Sequence, residues 1–155
     1  MTEAATLIGI LDKCLAVIGL IRDGKVRRDE KIDAGLHALH TALCETKAYV
    51  TRLNDGDKRD RQHEHKIANL WHYASVPLRH VDPGLADRCF IKGSYWLEPD
   101  VWTEAQVQAN RIALNQVHKS IRELLLRYQG GTQSHIFDEP VPRSGGGWVS
   151  LGRGG

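Results

Sequence analysis

Two stretches of the chain carry apolar side chains at alternating spacings of three and four residues, the repeat of a helix that packs along one seam. The earlier stretch predicts a helix from about Asp29 to Leu53. The later one predicts a final long helix that begins at Thr103, which forms a capping box with Gln106. The seam positions are Ile32, Leu36, Leu39, Leu43, Thr46, Val50 and Leu53, and then Val107, Asn110, Leu114, Val117, Ile121, Leu124 and Tyr128.

The segments between and before these two also have helical patterns. An apolar run predicts a first helix over residues 3–22, and a third helix begins in the polar run 57–66 and is ended or kinked by Pro77. Asp82 and Pro83 have the types preferred at the cap and first position of a short helix, which Gly93 would close. Since no long strand-like alternation occurs before residue 130, we expect an all-α fold. It is an up-and-down bundle of four main helices plus a short connecting helix over residues 1–129.

The composition changes at residue 130, where a Gly-rich tail begins. Eight of the residues in 130–155 are glycine, which favours irregular, flexible structure. Phe137 and Trp148 are large apolar residues that a simple spacer does not need. We therefore expect part of the tail to dock on the bundle or on a partner.

Charge and cysteine content narrow the function classes. A net charge of +2 is too small to indicate a DNA-binding protein. The cysteines are odd in number, widely spaced and without a CxxC pair, which favours a reducing compartment. Because no signal sequence or membrane-spanning run is evident, the sequence predicts a soluble, cytoplasmic protein. It contains no nucleotide-binding loop or HExxH motif, and we predict no cofactor.

One short motif suggests an enzyme. Arg59-Asp60-x4-His65 resembles the Arg-polar-x4-His motif of the HEPN family of helical ribonucleases. The resemblance covers seven residues and implies metal-independent RNA cleavage, in which the histidine moves protons and the arginine holds the phosphate. The alternative interpretation is a solvated first turn of a helix, with acidic residues near its positive end.

A second cluster suggests a metal site. His37, His40 and Cys44 lie at i, i+3 and i+7, so they share one face of the second helix. A fourth ligand would have to come from elsewhere. Histidines at the edge of the seam and a buried thiol explain the same spacing without a metal, and we therefore predict none.

The aromatic residues Tyr95, Trp96 and Trp102 lie in an irregular part of the sequence and are candidates for a binding surface. With no complete catalytic set, the leading hypothesis is a non-enzymatic protein-interaction module. Its partner is another protein or a second copy, and the aromatic residues and the tail, including Phe137 and Trp148, make the contact. RNA cleavage is the alternative. A third hypothesis is a membrane-active bundle that inserts its apolar first helix.

Overall fold

In a computed structural model of the 155-residue chain, residues 3–23 and 30–128 are described, and all their regular structure is helical. The prediction of an all-helical bundle is confirmed. The proposed tail, with Phe137 and Trp148, lies outside the described residues. The helices are α1 (Glu3–Asp23), α2 (Glu30–Asn54), α3 (Arg61–Leu78), α4 (Pro83–Leu97), α5 (Glu104–Ala109) and α6 (Leu114–Tyr128), with a 3-10 turn at Pro99–Val101.

Five of these helices contact one another in a closed order. α1 packs against α2 and α6, α3 packs against α2 and α4, and α4 completes the circuit by touching α6. Helices that follow each other in the chain are therefore neighbours in space, which is typical of up-and-down bundles. The connecting helix α4 is as long as α6, so it is a full member of the bundle.

Most positions of the two predicted seams lie in the core. Ile32, Leu36, Leu39, Leu43, Thr46 and Val50 are buried on α2, and Leu114, Val117, Ile121 and Leu124 are buried on α6. Each fully buried Leu, Ile or Val contributes about 1.5–3 kcal/mol relative to an exposed one. The apolar first helix adds Leu11, Val17, Ile18 and Ile21 to the same cluster. Among the described residues, no helix combines the length and apolarity that a bilayer span requires.

Two helices begin at the residues that the sequence indicated, and a third begins within the predicted polar run 57–66. Asp60 accepts a hydrogen bond from the His63 amide (3.1 Å) at the start of α3, and Asp82 does the same for Leu85 (3.1 Å) at the start of α4. Thr103 forms the predicted capping box with Gln106 at the start of α5. These side chains satisfy amides that a helix leaves without partners in its first turn. Pro77 lies in the last turn of α3, one residue before its end.

Gly93 does not close α4, contrary to the sequence prediction. The helix continues to Leu97, and Gly93 is buried inside it against α3. A Cβ atom at Gly93 would lie 2.3 Å from Cδ2 of His72, so only glycine allows the two helices to approach this closely. The glycine therefore serves packing, and Pro99 follows the true end of the helix.

The prediction of one final helix from Thr103 to Tyr128 is wrong. The helix is interrupted after Ala109, and Arg111 adopts a positive φ of 55° before α6 begins at Leu114. Asn110, which the pattern placed on the seam, is exposed and caps α5 by donating from Nδ2 to the Gln106 carbonyl (2.9 Å). Ile112, in the turn between the two helices, is completely buried.

Candidate functional site: a cavity around Lys92

Arg59 is held by carboxylates. Its Nε and Nη2 atoms donate to Oε1 of Glu64 at 3.1 and 2.7 Å, and its Nη1 donates to Oδ1 of Asp100 at 2.7 Å. Glu64 is only 1% exposed, so this arginine compensates a buried negative charge. Every nitrogen of the guanidinium group bonds to a carboxylate, and Arg59 therefore joins the start of α3 to the 3-10 turn.

Asp60 and His65 have different surroundings from Arg59. Asp60 is the N-cap of α3, whereas His65 is exposed. Because successive residues of a helix point about 100° apart, His65 turns away from the buried direction that its neighbour Glu64 takes. No described contact prepares Arg59 to receive a phosphate.

The weak metal candidates lie on α2 as the spacing predicts. The Sγ atom of Cys44 is 3.7 Å from both ring nitrogens of His40, while His37 is exposed and borders a separate apolar hollow of about 460 Å³. Within the described ranges, no group of three or more His, Cys, Asp or Glu residues is arranged to hold a metal ion.

The aromatic candidates form one connected cluster. The ring centroids of Tyr95 and Trp96 are 5.4 Å apart and those of Tyr95 and Trp102 are 6.2 Å apart, both in edge-on contact. Tyr49 of α2 extends the cluster, with its centroid 5.9 Å from that of Trp96. Edge-to-face contacts of this kind hold rings in fixed positions. The structure thus brings together the three described residues that the sequence proposed for binding.

Beside this cluster lies a cavity of about 570 Å³ between α1, α4, α5 and the start of α6. Its walls are largely apolar, and exposed residues such as Glu104 and Gln108 at its edge connect it to solvent. The volume falls in the range of small-molecule sites. The lining residues are Thr6, Leu7, Ile10, Val50, Lys92, Tyr95, Trp96, Glu104, Val107, Gln108, Ala113, Leu114 and Asn115.

Lys92 brings a charge into this cavity. The residue is 6% exposed, and its Nζ lies 4.9 Å from the centroid of the Tyr95 ring. No described residue forms a hydrogen bond or an ion pair with Lys92, whose Nζ lies over the face of the Tyr95 ring. Burial lowers the pKa of Lys92 from its ordinary 10.5 to about 8, because the charged form loses its hydration.

The nearby thiol of Cys14 does not supply a counter-charge. Burial raises the pKa of Cys14 to about 12, so the thiol keeps its proton at neutral pH. Trp96 adds a second donor without a partner, since its Nε1 is buried and finds no acceptor among the described residues. Buried donors normally have acceptors, so Trp96 is an exception. A buried lysine with a lowered pKa that lines a cavity indicates a place for a ligand.

The sequence analysis did not single out Lys92. A signal was present, because Leu85, Cys89, Lys92 and Trp96 step along α4 by four, three and four residues. A lysine at a position of this seam is a charged residue where the pattern demands an apolar one. Such a conflict between local pattern and residue type marks functional positions more often than ordinary ones.

Comparison of the chain with protein-family models, with curated proteins and with solved structures gave no match. The resemblance to HEPN ribonucleases therefore rests on residues 59–65 alone.

Proposed function

We propose that this protein is a non-enzymatic binding module whose Lys92 cavity takes up a small carboxylate with an apolar body. The observation that carries the proposal is a lysine ammonium group buried in an open cavity without a counter-ion. A buried charge of this kind is costly unless it is paired and hydrogen-bonded. A carboxylate ligand provides both the opposite charge and the missing acceptors.

The cavity walls suit the two parts of such a ligand. Lys92 is the charged donor, and the Trp96 side chain forms part of the lining beside it. The apolar body would contact Leu7, Ile10 and Val107. Hydrogen bonds to charged groups contribute about 1.5–3 kcal/mol each, and apolar contact adds about 25 cal/mol per Å² of surface removed from water.

The proposal refines the hypothesis of an aromatic recognition surface. Tyr95 and Trp96 act as cavity walls, and Trp102 supports Tyr95 from behind through their ring contact. The contribution of Phe137 and Trp148 to a protein partner or a second copy stays a prediction. A cytoplasmic location also belongs to the proposal, and it is supported by the unpaired thiols of Cys14, Cys44 and Cys89.

The test is a titration of the full chain with octanoate at pH 7, in which tryptophan fluorescence reports binding. Octanol of the same chain length is the neutral control ligand. We expect octanoate to bind, and Lys92→Met to weaken binding by about 10- to 150-fold, the equivalent of one charged hydrogen bond. Lys119→Met, which removes an exposed lysine of α6, should leave the affinity unchanged.

Equal affinity of Lys92→Met and the unmodified chain would overturn the proposal. So would octanol binding as tightly as octanoate, since the charge on the ligand would then contribute nothing. Circular dichroism of both variants shows that a lost affinity is not a lost fold.

A further inference from the structure

We infer that the Lys92 amine also reacts covalently, condensing with an apolar aldehyde in this cavity to form an imine. The inference rests on the proposed function in one respect, because both require the cavity to admit a ligand. It goes beyond it by assigning a chemical reaction to Nζ. The class of reactant is an aldehyde with an aliphatic or aromatic body that fits the apolar walls.

The position of Nζ meets the first requirement of such a reaction. An amine attacks a carbonyl carbon only through its unshared electron pair, which is present in the neutral form. Most lysines are charged and hydrated, whereas Lys92 is almost completely buried and has no described carboxylate to hold it in the charged form. The lowered pKa of Lys92 is consistent with this surrounding, because burial favours the neutral amine.

The reaction needs nothing besides the aldehyde. Nζ attacks the carbonyl carbon, the C–N bond forms, and the carbonyl oxygen takes up a proton to give a carbinolamine. The nitrogen then loses its second proton while the hydroxyl departs as water, which leaves a C=N bond. One water is released, no group is oxidised or reduced, and the protons lost by nitrogen leave in that water.

The walls of the cavity favour the product over its hydrolysis. An imine in bulk water reverts readily, so a lysine adduct persists only where water is scarce. Leu7, Ile10, Val107 and Leu114 supply apolar surface around the place where the ligand chain would lie. The apolar body of a bound aldehyde would displace water from these walls, and less water beside the C=N bond slows its hydrolysis.

The reaction can be trapped by incubating the full chain with octanal and sodium cyanoborohydride at pH 7.5. Intact-mass spectrometry counts the octyl groups, and peptide mapping locates them. We expect Lys92 to react at least ~10-fold faster than the exposed Lys119, because burial leaves a much larger share of Lys92 in the neutral form at pH 7.5. Excess octanoate should slow the Lys92 reaction and leave that of Lys119 unchanged.

Lys92→Met should remove the fast adduct, while Lys119→Met should retain it. Labelling spread evenly over the lysines would overturn the inference. So would labelling of Lys92 that octanoate does not slow, although octanoate binds in the fluorescence titration. Octanoate binding without an aldehyde adduct removes this inference and leaves the proposed function standing. An adduct at Lys92 without measurable octanoate binding does the reverse.

Discussion

Trp71 and Trp96 both bury the N–H group of their indole ring, yet their surroundings differ. Trp71 of α3 is fully buried, and its Nε1 donates to Oγ1 of Thr46 across the α2–α3 contact at 3.0 Å. Trp96 of α4 is half-buried, borders the cavity and donates to no described acceptor. One tryptophan completes a closed core, whereas the other leaves hydrogen-bonding capacity unused.

The difference separates a part of the bundle whose polar groups are all satisfied from the part to which we assign binding. Around Trp71, the Thr46 hydroxyl accepts from the indole and itself donates to the Ala42 carbonyl (2.7 Å), so each polar group is satisfied. Around Trp96, the ammonium of Lys92 is likewise unpaired. Such unsatisfied groups reduce stability and leave interactions that a ligand can complete.

The largest contrast should come from truncating each tryptophan. Trp71→Ala should lower the free energy of unfolding by about 3–5 kcal/mol, the usual range for removing a fully buried aromatic residue. Trp96→Ala should cost clearly less, because its side chain already borders empty space. Urea denaturation followed by circular dichroism measures both, and equal losses would contradict the separation into a closed core and an open site.

Replacing the buried charge should stabilise the protein. With a folded pKa near 8 against 10.5 in the unfolded chain, the ammonium of Lys92 costs about 3 kcal/mol at pH 7, and Lys92→Met should recover much of this.

The pH dependence of this gain has a defined sign. Below about pH 8 both states are protonated and the full cost is present. Between pH 8 and 10.5 the folded state loses its proton first, so the stability of the unmodified chain rises relative to that of the variant. Denaturation at pH 7, 9 and 10.5 checks this, and a gain that does not shrink with pH would refute it. The buried thiols are common to both proteins and largely cancel in the difference.

A smaller change tests the hydrogen bonds alone. Trp71→Phe removes the bond to Thr46 and some volume, and should cost about 1–2 kcal/mol. Trp96→Phe removes a donor that has no described acceptor and should be neutral or slightly stabilising. The pair of variants, measured by thermal unfolding in the same buffer, sharpens the contrast. A comparable loss for Trp96→Phe would show that its N–H group is satisfied in the protein.

The smallest effect is expected at Arg111, in the turn behind the cavity. A non-glycine residue with φ of 55° is strained, and glycine is not. Arg111→Gly should therefore raise the free energy of unfolding by about 0.5–1 kcal/mol, offset in part by the freedom that glycine adds to the unfolded chain. A clear destabilisation would mean that the arginine side chain makes a contact worth more than the strain.

The sequence predicted the helices well where packing alone decides. The seams of α2 and α6 repeat at the helical period, and the capping residues Asp82 and Thr103 specify starts that the structure confirms. The interruption at 110–113 could not be predicted from the periodicity of the apolar residues, because their three- and four-residue spacing continues through it without a gap. Asn110 was the one polar residue of that seam, and in retrospect it marked the break.

The candidate site was only partly predictable. The grouping of Tyr95, Trp96 and Trp102 followed from their closeness in the chain. The position of Lys92 could not be predicted in this way, since a lysine on a helix normally extends to water. Its burial depends on α1, α5 and α6, which are distant from α4 in the sequence or follow it. The motif at residues 59–65 was visible, but the carboxylates that hold Arg59 come partly from Asp100, 41 residues further along.

The short length of α5 bears on how easily a ligand could enter or leave the Lys92 cavity. This six-residue helix supplies Glu104, Val107 and Gln108 to the wall, and none of its residues is buried. Displacing α5 exposes little apolar surface, so a ligand could enter or leave while the five longer helices stay packed. Release of a ligand held there would then need only a local displacement of α5, a motion much faster than unfolding of the bundle.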